Sequence, residues 1–194
     1  FERATPNQMW QSDLFTFRLG GKYAYVVAFM DDYSRYIVGL DLYRSPTAEA
    51  VLMAKVKARG LHQRVTVDSA GTHGFHLQEP PDVRAQRHGA RRGYDLKKLR
   101  ARRVEDEDFQ RFDLILAMDE KNLEWLREKA PAGSPARLGL LMTYARRHTD
   151  VGEVPDPYYG AGDGFERVLD LVEDACDGLV ADLLEGKGAV AAPP

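Results

Sequence analysis

The stretch LDLYRSPTAEAVL, residues 40–52, marks the point where the chain changes from a strand pattern to a helix pattern. Ser45 can cap a helix, Pro46 suits its first position, and Gly60 can end it. A strand, a short loop and a helix N-terminus form an anion site, because backbone N–H groups and the helix dipole converge there. Arg44 could add a bidentate clamp on a phosphate, or it could be a plain surface arginine before a helix.

Upstream of this stretch, the residues follow the alternating pattern of β-strands. Three segments rich in β-branched and aromatic residues are DLFTFRL, KYAYVVAFM and YIVGLDLY. They are separated by a Gly-Gly turn and by the polar segment DDYSR. The pattern predicts a three-stranded antiparallel meander over residues 13–43.

Downstream, strand and helix patterns alternate. RVTV at 64–67 is predicted as a short buried strand, with DSAGT as the turn after it, and FDLILAM at 112–118 as a strand buried on both faces. NLEWLREKA reads as a helix and ARLGLLMTY as another strand. Residues 165–184 carry an apolar stripe at helical spacing. The strand at 36–43, the helix that begins at Ser45 and the strand at 64–67 predict a βαβ unit with a right-handed crossover.

Composition and charge narrow the class of protein. The 194 residues carry a net charge of −3, which provides no overall basic field for nucleic acid. The only cysteine is Cys176, so an internal disulfide is excluded and a cytoplasmic location is expected. No apolar run approaches the roughly 18 residues that a membrane span needs. Only residues 79–103 are strongly basic, and they are predicted to form a solvated face.

Three later segments carry a family resemblance. VDSAGTHGFHLQEPPDVRA, ARRVEDEDFQRFDLILAMDEKNLEWL and EVPDPYYGAGDGFERVLDLVEDACDGL resemble low-molecular-weight protein-tyrosine phosphatases, from about residue 44 to 186. The resemblance implies a doubly wound, Rossmann-like α/β fold with a four-stranded parallel sheet and helices on both faces. Its active site would lie at the carboxyl ends of the strands. The implied partner is a phosphotyrosine protein or a small phosphomonoester, without a cofactor; neither a membrane nor DNA is expected.

The resemblance also implies roles for individual residues. Arg44 matches the arginine that clamps the phosphate, and Ser45 the hydroxyl that helps to hold the nucleophile as a thiolate. Asp156, in PDPYY, matches the general acid that protonates the leaving phenolate oxygen. Tyr158 and Tyr159 match the aromatic walls that admit a phosphotyrosine ring.

The loop before Arg44 departs from the family. The family loop runs Cys, five residues, Arg and Ser, so the nucleophile position falls on Val38. Asp41 stands where an asparagine shapes the loop, and its charge would repel phosphate. Ser69 matches a family residue that supports the loop, whereas the family's usual histidine is replaced by Leu99.

Loss of the nucleophile has a direct chemical consequence. Valine cannot form a phosphoenzyme, and removing a nucleophile costs on the order of 10⁶-fold in rate in another enzyme class. Cys176 cannot substitute, because it lies on the apolar stripe of residues 165–184. The expected protein is a phosphatase-like domain with impaired hydrolysis. The alternatives are a noncatalytic phosphate- or phosphoprotein-binding module and the remnant of a DDE-type integrase or transposase.

The last alternative comes from the first 53 residues. Trp10-Gln11-x-Asp13, followed by DDYSR, resembles the start of a retroviral-type integrase core, which implies an RNase H-like meander. Asp13 would match the first of the carboxylates that bind Mg²⁺. Asp68 and Glu105 stand at suitable spacings, but their surroundings fit the phosphatase pattern better, so no metal site is expected.

These resemblances divide the chain at residue 44. Residues 1–43 are predicted as a partial integrase-core-like meander, residues 44–186 as the phosphatase-like domain without its own first strand and Cys loop, and residues 187–194 as a disordered tail. One strand has only two sides to pair. The hypothesis is therefore that residues 36–43 take the central place in the sheet, while residues 1–30 pack poorly or pair at an edge.

Overall fold

A computed structural model describes residues 10–19, 22–31, 45–71, 77–155, 157 and 164–185, with the backbone alone for 10–31 and for Ser45. In chain order, the elements over these residues are β1 Trp10–Leu19, β2 Lys22–Asp31, α1 Ser45–Ala58, β3 Asp68–Gly71, α2 Val83–Arg91, α3 Asp108–Arg111, β4 Phe112–Ala117, α4 Glu120–Lys129, β5 Arg137–Leu140, a 3-10 helix Leu141–Tyr144 and α5 Gly164–Leu184.

The described strands form one mixed sheet in the order β3-β1-β2-β4-β5. β1 pairs antiparallel with β2 and with β3, whereas β2–β4 and β4–β5 are parallel pairs. Four of the five strands therefore share one direction, and β1 runs against them. The fold is α/β and Rossmann-like in its parallel part, but the sheet in the described residues is neither four-stranded nor wholly parallel.

The predicted edge position of the N-terminal segment is wrong. β1 lies between β3 and β2, and β2 lies between β1 and β4, so both are interior strands. Ten consecutive residue pairs join β1 to β2, from Trp10↔Asp31 to Leu19↔Lys22. Each pair brings two backbones into register, and this long ladder gives the hairpin enough pairing to occupy the middle of the sheet. The predicted third strand, residues 36–43, lies outside the described residues, as does the predicted tail.

The strand after α1 begins later than predicted. Val65 is buried in the predicted segment 64–67, but the strand comprises Asp68–Gly71, where a turn was expected. The reason is pairing, because Asp68–Gly71 lie opposite Thr16–Asp13 of β1. β5 is also shorter than predicted, since the chain turns into the 3-10 helix at Leu141.

Two helical layers cover the sheet. β4 alternates between them: Leu114 and Leu116 pack with α1 and α5, whereas Ile115 and Ala117 pack with α3 and α4. The predictions of a strand at 112–118 and of helices at 122–130 and 165–184 are confirmed within a few residues. β4 is therefore buried on both faces, as its continuous apolar run indicates.

A polar contact fixes α5 to the loop after the 3-10 helix. The carboxylate of Asp174, which is 2% exposed, accepts hydrogen bonds from the backbone N–H groups of Arg146, Arg147 and His148 at 2.8–3.2 Å. One turn later, a Cβ at Gly178 would overlap the carbonyl oxygen of Tyr144. Only glycine permits this close approach of helix and loop.

Within the described part of the chain, no helix is both long and apolar enough to cross a lipid bilayer.

Candidate active site

The first turns of α1 are anchored to β3 by a buried carboxyl group. Glu49, in the second turn of the helix, is 7% exposed, and Ser69 on β3 is 6% exposed. The Ser69 hydroxyl donates a hydrogen bond to Glu49 Oε2 at 2.5 Å. This contact places the predicted loop-supporting residue Ser69 beside the helix that begins at Ser45.

The environment of Glu49 makes its charge sensitive to pH. Burial raises the pKa of Glu49 from its ordinary value of 4.5 to about 7, and the neighbouring Asp68 carboxylate raises it as well. The hydrogen bond from Ser69 and the charge of Arg102 act in the opposite direction. Glu49, in the second turn of α1, therefore gains or loses its charge near neutral pH.

Sequence reasoning missed Glu49. Its one signal is weak: a single acidic residue within SPTAEAV, between Ala48 and Ala50. Such a position in a helix is usually solvated, and only the contact with β3 shows that it is buried.

Arg102 connects β3 to the segment before β4. Its guanidinium lies 3.0 Å from Asp68 Oδ2 and 2.8 Å from Asp108 Oδ2. Asp108 is 1% exposed and also accepts the backbone N–H of Glu105 at 3.0 Å. These paired charges hold the carboxylate of Asp68 in a structural contact next to Ser69.

The segment that leads to the predicted general acid is attached at the carboxyl end of β4. The backbone N–H of Val154 donates to the carbonyl of Met118, the residue after β4, at 2.8 Å. Beyond the acid, a Cβ at Gly164 would lie 2.8 Å from the carbonyl oxygen of Pro157. The chain on either side of Asp156 therefore meets β4 and the first residue of α5.

The structure places only part of the predicted site. Ser69 and the backbone of Ser45 are described, and Glu49 connects the elements that carry them. The other predicted site residues lie outside the described residues: Val38, Arg44, Asp156, Tyr158 and Tyr159. Their roles stay predictions.

The single thiol of the chain is remote from solvent. Cys176 is 0% exposed in the core between α5 and α1, as predicted from the apolar stripe. Burial raises the pKa of its thiol well above the ordinary range. A thiolate at this position is strongly disfavoured, so Cys176 does not provide a nucleophile.

The sheet register separates two positions of the integrase-like pattern, 13 and 68. Asp13 on β1 lies opposite Gly71, whereas Asp68 lies opposite Thr16, three residues away along β1. Because neighbouring strand positions alternate between faces, positions 13 and 68 belong to opposite faces of the sheet. The described side chains contain no group of three or more His, Cys, Asp or Glu that could hold a metal ion.

Two protein families match the chain, over different ranges. The family described as low molecular weight phosphotyrosine protein phosphatase matches residues 38–188, and the integrase core domain matches residues 3–72. The two ranges overlap over 38–72, which includes α1 and β3. Both resemblances found in the sequence are confirmed.

Individual relatives support the phosphatase match. A low molecular weight protein-tyrosine-phosphatase of Streptomyces coelicolor is 43% identical over 155 residues, which is 77% of this chain and 93% of that protein. The human low molecular weight phosphotyrosine protein phosphatase is 36% identical over 138 residues, 70% of this chain and 85% of that protein. A protein tyrosine phosphatase from Entamoeba histolytica, crystallised with Hepes in its active site, superposes with a TM-score of 0.70 at 38% identity, covering 75% of this chain and 92% of that one. This chain belongs to the low molecular weight phosphotyrosine protein phosphatase family.

Proposed function

We propose that this chain binds phosphotyrosine proteins or small phosphomonoesters at the family's site and hydrolyses them very slowly or not at all. The relatives that it resembles are named as phosphotyrosine phosphatases, which supports the class of ligand. Val38 at the nucleophile position supports the loss of hydrolysis.

One observation carries the proposal: the only sulfur nucleophile in the sequence, Cys176, is buried in the helical core. No other cysteine can replace the missing one, so a phosphocysteine intermediate cannot form on this chain. General acid catalysis alone contributes about 10²–10⁴-fold, which is far less than the nucleophile provides.

The remaining residues have defined roles in this proposal. Arg44 would clamp the phosphate through two parallel N–H···O contacts, and the N–H groups at the start of α1 would face the same oxygens. Tyr158 and Tyr159 would enclose the aromatic ring. Asp156 would hold its proton near the ester oxygen, where the family's phosphoryl transfer uses it. Because no phosphocysteine can form in this chain, proton donation by Asp156 would not be accompanied by attack of a cysteine on the phosphorus.

A noncatalytic phosphate-binding module is the second candidate function. The contact between Ser69 and Glu49 favours it, because it keeps the start of α1 anchored although the nucleophile is absent. A DNA strand-transfer activity based on Asp13 is not supported by the register, which puts positions 13 and 68 on opposite faces.

Turnover of p-nitrophenyl phosphate by the full chain tests the proposal. The wild-type chain should show no iodoacetate-sensitive turnover. Val38→Cys should gain a weak activity, about tenfold over wild type, that iodoacetate abolishes. The gain should be small because Asp41 also departs from the family loop. The matched control is Val38→Ser, whose hydroxyl is too poor a nucleophile to produce the gain.

Binding is measured separately from turnover. Orthophosphate or vanadate should raise the melting temperature of the wild-type chain, and Arg44→Ala should remove this shift. Clear turnover by the wild-type chain would refute the loss of hydrolysis. Absence of any shift with either anion would refute phosphate binding.

A further inference from the structure

One face of α2 is exposed and basic. Arg84, Arg87 and Arg91 are all exposed and stand three, four and seven residues apart, so they share one side of the helix. Val83, which is 63% exposed, lies four residues before Arg87 on the same side. These four residues are called the α2 basic face. The opposite side of the helix is buried at Ala85 and Gly89.

This charge is concentrated in one part of the chain. Residues 79–103 contain nine Lys and Arg against three Asp and Glu, a surplus of six positive charges. Because the whole chain carries −3, the rest of it carries −9. Arg84 of the α2 basic face lies 3.3 Å from the Asp82 carboxylate, and Arg92 and Arg102 also contact acidic side chains. Arg87 and Arg91, by contrast, have no acidic partner among the residues that the structure describes.

The α2 basic face contacts the start of α5, the helix that follows the predicted substrate-binding residues in the sequence. The guanidinium of Arg84 lies 5.2 Å from the ring centre of Phe165, and the ring of His88 stacks on Phe165 at 5.3 Å. His88 Nδ1 also lies 2.5 Å from Glu166 Oε1. These contacts fix α2 to the first turn of α5, and Phe165 follows Tyr159 by only six residues.

We propose that the α2 basic face binds an acidic segment of a phosphoprotein next to its phosphotyrosine. This inference rests on the proposed function, and it adds the sequence class of the partner. From Arg84 to Arg91 the helix rises about 10 Å, which corresponds to about three residues of an extended peptide. A segment of about three residues that carries Asp or Glu beside the phosphotyrosine therefore matches the face in length, and its charge complements Arg87 and Arg91.

Two features favour a polypeptide over a nucleic acid. Val83 exposes an aliphatic surface among the arginines, which suits a peptide that carries an apolar side chain among its acids. The remaining −9 charge would repel a long polyanion that extends beyond the helix, whereas a short acidic segment avoids this repulsion.

The test measures the affinity of the full chain for fluorescent peptides by anisotropy at low salt. One phosphotyrosyl peptide carries neutral flanks, and two others carry three Asp or Glu before or after the phosphotyrosine. An acidic flank on one side should increase the affinity about tenfold. Arg87→Ala with Arg91→Ala should abolish this gain and leave the affinity for the neutral peptide unchanged.

The matched control removes two arginines from another surface. Arg59 and Arg64 are exposed just beyond the C-terminal end of α1, about 20 Å along the helix from its start at Ser45. Arg59→Ala with Arg64→Ala changes the net charge by the same amount and should keep the tenfold gain. A gain that falls equally in both double variants would overturn the proposal, because it would reflect net charge alone.

Two further probes separate the possible failures. If no phosphopeptide binds, the proposed function fails, while an unphosphorylated acidic peptide still tests the α2 basic face. Its binding should be weak and should depend on Arg87 and Arg91. Absence of that binding, or an acidic flank without effect in phosphopeptides that do bind, overturns this inference. Tighter, Arg87- and Arg91-dependent binding of an oligonucleotide of equal charge would assign the face to nucleic acid instead.

Discussion

The β1–β2 hairpin and the helical layers around it are held in place by different forces. The hairpin contributes two ten-residue strands, against four residues each in β3 and β5. It is connected to the sheet by backbone pairing on both sides. The helices α1 and α5 are fixed instead by an apolar core and by buried carboxyl groups, Glu49 and Asp174.

The direction of the strands follows from this arrangement. A single strand between β3 and β4 could be parallel to both, as the phosphatase family resemblance implies. Two antiparallel strands in the same place must make one of the outer pairings antiparallel if β3 and β4 keep their direction. That pairing is β1–β3, whereas β2–β4 stays parallel. A hairpin from an integrase-like segment can therefore occupy an interior position with only one reversed pairing.

The largest loss of stability is expected on removing a side chain that accepts hydrogen bonds from several backbone N–H groups. Asp174→Ala leaves the N–H groups of Arg146, Arg147 and His148 without their acceptor. The free energy of unfolding, measured with urea, should fall by about 4 kcal/mol. Asp177→Ala, on the same helix, removes an exposed ion pair and should cost less than about 1 kcal/mol.

The same carboxylate predicts a dependence on pH. Burial opposes the charge of Asp174, but the hydrogen bonds from His148, Arg147 and Arg146 outweigh it and lower its pKa. Its stabilising contribution is therefore present above the ordinary pKa of aspartate and is lost as the pH falls. Equal costs for Asp174→Ala and Asp177→Ala at neutral pH would contradict this account of how α5 is held.

The hairpin should respond to loss of a backbone donor. Leu14 pairs with Val27 on one side and with Ala70 on the other. Leu19 pairs with Lys22, and a pair separated by only two residues is a hydrogen-bonded pair. Because such pairs recur at every second residue, the odd positions of β1 direct their N–H groups toward β2 and the even positions toward β3. Leu14→Pro should therefore lower the free energy of unfolding by about 3 kcal/mol, since it removes a donor from an interior strand.

Position 18 provides the control. The N–H of Arg18 points to the same side as that of Leu14, but β3 begins at Asp68, opposite Thr16, so Arg18 lies beyond the end of that pairing. Arg18→Pro should cost about 1 kcal/mol or less in the same urea experiment. If the two proline variants unfold alike, β1 is not paired with β3, and the hairpin would be an edge structure as its sequence suggests.

Elements defined by local patterns were predictable, whereas those defined by pairing were not. The apolar run at 112–118 and the stripe at 165–184 identify β4 and α5, because burial selects these residue types directly. The sequence DSAG shows no strand propensity, and it forms β3 because β1 lies beside it. The interior position of the hairpin likewise depends on which strand edges meet, and no local pattern records that.

The same division applies to the candidate site. Ser69 was predicted from the family resemblance; the structure shows it buried beside α1, and its role in supporting the loop stays a prediction. Its partner Glu49 was missed, since a carboxyl group is recognised as buried only when the facing element is known. Val38 needed no structure, because an isopropyl group cannot serve as a nucleophile wherever it lies.

The smallest effect concerns the contact between Glu49 and Ser69, which lies in the range shared by both family matches. Because the pKa of Glu49 is raised by burial, the folded chain holds a proton that the unfolded chain releases. The contribution of Glu49 to stability should therefore fall as the pH rises from about 4.5 to about 7. Glu49→Gln, which stays neutral, should be about 2–3 kcal/mol more stable than wild type at pH 8 and similar to it at pH 4.5.

Urea unfolding at several pH values between 4.5 and 8 measures this difference. Ser69→Ala is the companion variant, since it removes the hydrogen bond that favours the charged form of Glu49. The free energy of unfolding of Ser69→Ala should therefore continue to fall up to a higher pH than that of wild type. A difference between wild type and Glu49→Gln that stays constant across this range would show that Glu49 keeps one charge state. The junction between α1 and β3 would then be independent of pH, like the backbone ladder of the hairpin.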